Sequence, residues 1–222
     1  SLGERAVAAV GSAGILFWLV ESLLALPRIG GQVLVGQSLG AGDLQEARSW
    51  ARAALRAGYL MAALLTLAFV SFQGPLTSIF HFNDLETIVR TETYLWIVGL
   101  GMIAHVGGRL YSAILTASGN SFTPFVIFVT GLTLNMILDP LFILHFRMDV
   151  AGAALATLLS ETVAFGLMLT AVRRNEYFAR LRLFSDPLEI RRLKPITKLG
   201  APVAMQSGVH AVVTILISRM VV

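Results

Sequence analysis

Six stretches of this sequence stay mainly apolar for about twenty residues or more, the length an α-helix needs to cross a bilayer. They run over residues 6–39, 51–72, 94–117, 122–146, 151–172 and 196–222, the first interrupted by Pro27, Arg28, Gly30 and Gly31. Hydrocarbon offers no water to an unpaired backbone group, so only helices or closed barrels cross it. Barrel strands would alternate apolar and polar residues over about ten positions. Runs such as Ala151-Gly152-Ala153-Ala154-Leu155-Ala156 do not alternate, and small residues of this kind suit close helix–helix approach in lipid. The expected fold is therefore an all-α, polytopic membrane helix bundle. Composition agrees: 56% of residues are hydrophobic and 14% charged, with a mean hydropathy of +0.76. A water-soluble domain carries about 25% charged residues.

The connections between the segments are of two kinds. Residues 40–56 carry Arg48, Arg52 and Arg56, and residues 173–198 carry Arg173, Arg174, Arg180, Arg182, Arg191, Arg192, Lys194 and Lys198. Residues 73–93 hold only Arg90 against Asp84, Glu86 and Glu92, and the 145–150 turn holds only Arg147. The two kinds alternate, as successive crossings require, and Lys/Arg-rich loops stay cytoplasmic. The expectation is a multi-pass protein of the cell (plasma or inner) membrane with its basic loops in the cytoplasm. A net charge of +4 does not point to nucleic acid, because the basic residues sit between apolar segments. Without cysteine, disulfides and thiolate metal sites are excluded. The first segment would then start outside. That start, Ser1 in place of Met, and the apolar run at 215–222 read as truncation at both ends.

The fourth and fifth segments are joined by so few residues that they must be antiparallel neighbours. Counting from Met148, Asp139 lies nine residues before and Thr157 nine after, so the two are level. Asn135 and Glu161 lie thirteen before and thirteen after, level again. Each helix then shows an i,i+4 pair on one face. One hairpin can present an amide, a hydroxyl and two carboxylates together. An Asp at such a depth costs about 3 kcal/mol, so these groups usually face the interior or a water-filled cavity. Oxygens of this set suit a proton or a hard cation such as Na⁺. Pro140 leaves the carbonyl of Met136 without a donor and tends to bend the helix. The plain alternative is that Asn135 and Thr157 are interhelical hydrogen-bond glue and that Asp139 solvates a bend.

Four motifs carry a resemblance. Gly36-Gln37-Ser38-Leu39-Gly40-Ala41-Gly42-Asp43, Gly119-Asn120-Ser121-Phe122-Thr123-Pro124, Asn135-Met136-Ile137-Leu138-Asp139-Pro140 and residues 150–157 follow in order at the right spacing. The chain resembles the multidrug and toxic compound extrusion (MATE) family over nearly its whole length. The resemblance implies a twelve-helix fold in two lobes. The segments here would be helices two to six of the N-lobe (residues 1–172), a cytoplasmic inter-lobe linker (173–195) and the start of helix seven (196–222). It also implies an antiporter that exports drugs or organic cations by alternating access, in exchange for inward H⁺ or Na⁺ as the coupling ion and with no other cofactor. Its partners would be a small-molecule substrate and the lipid bilayer, not nucleic acid, and the full-length protein is expected to be monomeric. The family's N-lobe cation site falls on Asn135, Asp139 and Thr157, with the carbonyl of Ala153. Na⁺ would bind at Asn135, Asp139 and Thr157. Glu161 joins this set from the depth count alone. The family's further Asp, on its first helix, would lie before Ser1. Some members carry a Glu eight residues after the proline of helix seven. Here Pro202 plus eight gives His210, a departure that favours the N-lobe site.

Other polar residues have competing readings. Glu21 and Arg28 lie seven apart on one helix face; Arg28 can snorkel to the cytoplasmic end, and the deeper Glu21 is expected to pair with an Arg elsewhere, with contact to a cationic substrate as its other role. His105 and Arg109 are i,i+4 and can reach Glu21 or Glu161 across the bundle. His81 and His145 stand alone, with no metal-ligand spacing around them. Gly40-Ala41-Gly42-Asp43 lacks the Lys-Ser/Thr of a phosphate loop and reads as a helix end followed by an Asp43 cap. Phe17, Trp18, Phe69, Phe72, Phe125 and Phe128 are candidates for a drug pocket or for packing. A flippase of the same superfamily would want a cationic cavity, for which Arg28 and Arg109 are the available groups. A membrane enzyme would need a paired nucleophile and base or a metal cluster, so no enzymatic activity is expected. A non-transporting membrane fragment is the remaining alternative.

Overall fold

The computed structural model describes residues 4–78, 80, 84–179, 181, 183 and 190–221. In chain order the helices are α1 (Glu4–Gly40), α2 (Leu44–Ser71), α3 (Gln73–Ser78), α4 (Leu85–Leu100), α5 (Met102–Ala117) and α6 (Phe122–Pro140). A π-helical turn (Leu141–His145) leads to α7 (Asp149–Arg174), and α8 (Ile190–Val221) follows. All the regular structure among the described residues is helical. Four segments are long and apolar enough to cross a membrane: Gly14–Gly40, Leu44–Ser71, Phe122–His145 and Asp149–Arg174. The pair α4 and α5 makes a fifth if counted as one bent span. The described part of α8 does not meet that measure, although residues 196–222 read as a sixth span.

Three expectations about the elements need correction. α1 is continuous through Pro27 and Gly30-Gly31, where the sequence reads as interrupted. The glycines serve close approach instead: a Cβ at Gly31 would collide with that of Ala54, and one at Gly30 with the backbone of Ile196. The span expected over 94–117 is two helices that meet at Gly101 with a 53° bend. A Cβ at Gly101 would lie 2.7 Å from the Leu158 Cδ1 of α7 and 3.3 Å from the Val98 carbonyl oxygen, so the kink falls where a small residue packs against α7. Residues 85–93, read as loop because of their charges, form the first turns of α4. Asp84 caps them, its Oδ2 accepting from the Thr87 N–H at 2.8 Å. Arg90 then pairs along the helix with Glu86 at 2.8 Å and across to Asp149 at 2.9 Å, tying α4 to the start of α7.

At the opposite, Arg-rich end, Gly42 turns the chain with a φ of +79° and Asp43 caps α2, accepting from the Glu46 N–H at 2.9 Å. The Gly-rich turn thus does what its sequence implies. α2 begins at Leu44, a full seven residues before the apolar run at 51, because this cap and the polar first turn already support a helix. The basic side chains are spent on the segment after α7: Arg48 Nε donates to the Tyr177 carbonyl at 2.6 Å and Arg56 Nε to that of Leu183 at 2.5 Å. Phe178 is buried beneath them in the core.

α8 packs along α1 and against α2, where Ile196 is buried between Ala53 and Ala54. Arg192 grips Glu46 with two hydrogen bonds, 2.6 and 3.0 Å, while its guanidinium lies 4.6 Å over the Trp50 ring. Arg192→Ala is expected to cost about 1–2 kcal/mol, since the pair is charge-assisted but partly exposed. Thermal unfolding of the purified protein measures this. Glu46→Gln should cost less, because it keeps a hydrogen-bond acceptor and the cation–ring contact.

Candidate functional site

The α6–α7 hairpin is built by a proline and an irregular turn. Pro140 has no N–H to continue the α-helical ladder, and the next five residues wind as a π-helical turn. The Phe146 N–H donates to the Leu141 carbonyl and the Met148 N–H to that of Phe142, both at 3.0 Å. Arg147 and Asp149 then reverse the chain at φ values of 55° and 52°, in the left-handed region that side chains resist. Gly152 fits the first turn of α7 against Phe142, whose backbone a Cβ would approach to 3.0 Å.

This turn sets the register of the two helices. Asn135 and Glu161 line the same cavity of about 170 Å³ between α5, α6 and α7. Thr157 and Arg109 also line it. The Asn135 amide nitrogen is buried with no hydrogen-bond partner among the described residues. An orphaned amide is costly, and the assignment of its nitrogen and oxygen rests on neighbouring partners. The Thr157 hydroxyl donates to the Ala153 carbonyl at 3.0 Å. Asp139, one turn on from Asn135, does not line that cavity. It is half-buried and makes no hydrogen bond or ion pair to the described residues. Tyr94 of α4, a buried phenol, lies alongside Thr157 and near enough to Asp139 to feel its charge. The group is all oxygen apart from the amide nitrogen, which fits a proton or a hard cation. Sequence reasoning missed Tyr94. The only signal was a tyrosine at the head of an apolar run.

Glu161 is held elsewhere. Its Oε1 lies 3.3 Å from His105 Nδ1, and the other ring nitrogen, Nε2, lies 3.1 Å from Glu21 Oε1. Arg109 Nε reaches the same Glu21 oxygen at 3.1 Å. His105 is buried, with the Phe17 ring edge-on at 5.8 Å. The cross-bundle pairing open to His105 and Arg109 is therefore present, and it takes Glu21 as well. The structural pairing expected for Glu21 with an arginine elsewhere is present, and that arginine is Arg109. Arg28 Nε is buried without a hydrogen-bond partner among the described residues, and Glu21 turns to α5 because two donors converge there.

The remaining candidates separate by position. Phe17 and Phe69 pack on each other at 6.0 Å, while Phe125 and Phe128 lie on the exposed face of α6. Phe72 is exposed at the end of α2. Trp18 stacks on His210 of α8 at 5.0 Å. His145 packs edge-on to Phe146, and His81 lies outside the described residues.

Comparison with known proteins gives a consistent picture. Residues 1–141 match the MatE family. The chain is 30% identical over 213 residues to a probable multidrug resistance protein NorM of Thermotoga maritima, covering 93% of this chain and 45% of that one. It is 32% identical over 164 residues to a probable multidrug resistance protein YpnP of Bacillus subtilis, covering 68% and 35%. Among solved structures, an inward-facing multidrug resistance MATE family transporter of the MOP superfamily superposes with a TM-score of 0.86 at 25% identity, over 95% of this chain and 48% of that one. The chain spans less than half the length of these relatives. Its apolar helices and these likenesses make it a multi-pass membrane helix bundle.

Proposed function

Because this chain belongs to the MatE family, we propose that it carries the ion-binding lobe of a secondary transporter. The transporter expels drugs or organic cations in exchange for H⁺ or Na⁺ moving inward. The multidrug resistance names of the relatives support the export of drugs. The observation that supports the ion-binding role is the cavity wall that brings the Asn135 and Thr157 side chains together one helical turn from the Asp139 carboxylate, unpaired among the described residues. Asp139, Asn135, Thr157 and the Ala153 carbonyl supply the oxygens. Glu161, engaged by His105, is left out of the set.

The ion enters from the side of the Asp149–Arg90 pair, the end without excess basic residues; the Lys/Arg bias of the loops supports an outside position for it. Occupation neutralises Asp139 and draws α6 and α7 together. Pro140 and the π-helical turn are the bend that lets the outer end of α6 move. A lobe reshaped in this way releases substrate outward, and ion release to the cytoplasm resets it. The ion does work only through its different affinity for the two shapes. The test is efflux of tetraphenylphosphonium by the full-length protein in liposomes, with Na⁺ and pH gradients imposed separately. Efflux should follow at least one gradient. Efflux at the same rate with neither gradient contradicts ion coupling.

A further inference from the structure

A second ionisable group lies inside the bundle, and the ion site does not use it. His105 is buried between two carboxylates, Glu21 on α1 and Glu161 on α7, each facing a different ring nitrogen. A neutral imidazole has one N–H and one lone pair, so one of these contacts would set a lone pair against a carboxylate oxygen. Only imidazolium donates to both. Charge leads to the same state. Two carboxylates face one guanidinium, Arg109, and the cluster is neutral only with a proton on His105. In a region with little water an uncompensated charge is costly.

The cluster also joins two cavities. Glu161 and Arg109 line the cavity that holds Asn135 and Thr157. Glu21 lines a separate one of about 790 Å³ between α1 and α8, with Trp18, Gln206, Ser207 and His210. That cavity offers an anionic group beside a stacked aromatic pair, the chemistry that recognises a cation with a flat or apolar body. The other groups near the cluster are placed differently. Arg28 is two turns along α1 and acts on Glu21 only through space. Tyr94 of α4 shares a small cavity with His105. Tyr59 of α2 lies by Gly107, next to His105 but one helix face away. His210 of α8 stacks on Trp18.

We propose that Glu21, His105 and Glu161 form a second proton-carrying site, distinct from the Asn135–Asp139–Thr157 group, which releases its proton when an organic cation occupies the α1–α8 cavity against Glu21. The arriving cation supplies the positive charge that the imidazolium had supplied. His105 then gives its proton to water, and the cluster stays neutral. On departure of the cation, the proton returns. Exchange of drug for proton thus occurs at one carboxylate, while the lobe change that carries the drug across still requires the ion at Asp139. This rests on the reading that the protein binds organic cations.

Linkage makes the exchange measurable, because a proton released on cation binding weakens that binding reciprocally as pH falls. Tetraphenylphosphonium binding to the purified full-length protein in lipid nanodiscs is measured across a pH series. The Kd should tighten about tenfold per pH unit, with about one proton released per cation bound. His105→Gln should lose the tenfold-per-unit slope, keeping at most a weaker dependence through Asp139. Asp139→Asn should keep the slope. If His105→Gln does not give a monodisperse protein, Glu161→Gln decides by the same slope, since its cluster is neutral without the proton. A tenfold-per-unit slope that survives in the deciding variant, or that only Asp139→Asn removes, overturns the second site and leaves the exporter reading standing. No tetraphenylphosphonium binding at any pH overturns both.

Discussion

Gly30→Leu is expected to detach α8 from α1. A Cβ at Gly30 would fall on the backbone of Ile196, and one at Gly200 would lie 2.6 Å from the Leu26 Cα and 2.8 Å from the Ala25 carbonyl oxygen. These neighbours are main chain, so no rotamer change relieves the overlap and the whole of α8 must move. The cost should be about 3 kcal/mol or more for leucine, at the upper end of what overpacking brings. Gly58 is a useful contrast: its neighbour is the tip of the Leu110 side chain, which can swing away. Gly36→Ala is the control, since its Cβ would meet nothing closer than 3.8 Å. The readout is a cross-link. A Cβ at Gly208 would lie 4.0 Å from that of Ser22, within the range of about 3.5–4.5 Å for a disulfide. Ser22→Cys with Gly208→Cys should therefore oxidise readily in a chain that has no other cysteine. Adding Gly30→Leu should abolish that cross-link, and adding Gly36→Ala should not. Equal cross-linking in both would mean that α8 does not depend on the glycine contact.

That contact also shows where reading a sequence reaches its limit. The apolar segments and the short connection at Met148 announce helices and an antiparallel hairpin, because length and chain connectivity are local properties. The Asp43 cap is local too. Gly30 and Gly31 look like a helix break in one dimension, and only the presence of Ile196 and Ala54 shows that they are contact points. Gly101 is a weaker case of the same kind, because the Leu158 tip that packs on it from α7 can swing away. Charged residues 86–92 resemble a loop until Arg90 meets Asp149, sixty residues away in sequence by rough count and adjacent in space. For the polar residues, spacing put Asn135 level with Glu161 and Asp139 level with Thr157. Reach across the bundle left His105 open to Glu21 or Glu161 without showing that it takes both, and nothing in the spacing brought Tyr94 to Thr157. Those relations depend on how α4 and α5 bend around the hairpin.

The ion site itself rests on Asp139. An aspartate in an apolar helix next to a helix-bending proline is an unfavourable choice unless its charge is used. Its position one turn beyond the Asn135 cavity, without a partner among the described residues, leaves it free to take up an ion. Asparagine keeps the shape and the hydrogen-bonding capacity, but it can neither carry a proton nor balance Na⁺. Coupling free energies of about 1–3 kcal/mol correspond to about 5–150-fold in affinity, so loss of the carboxylate should leave the gradient with almost no hold on transport.

The direct measurement is tetraphenylphosphonium efflux from liposomes containing the full-length protein, wild type against Asp139→Asn, at matched expression and with the driving gradient switched on and off. Wild-type efflux should rise when the gradient is applied, and the variant should stay at its gradient-free rate while remaining folded and inserted. Undiminished gradient-driven efflux by Asp139→Asn would contradict the assignment.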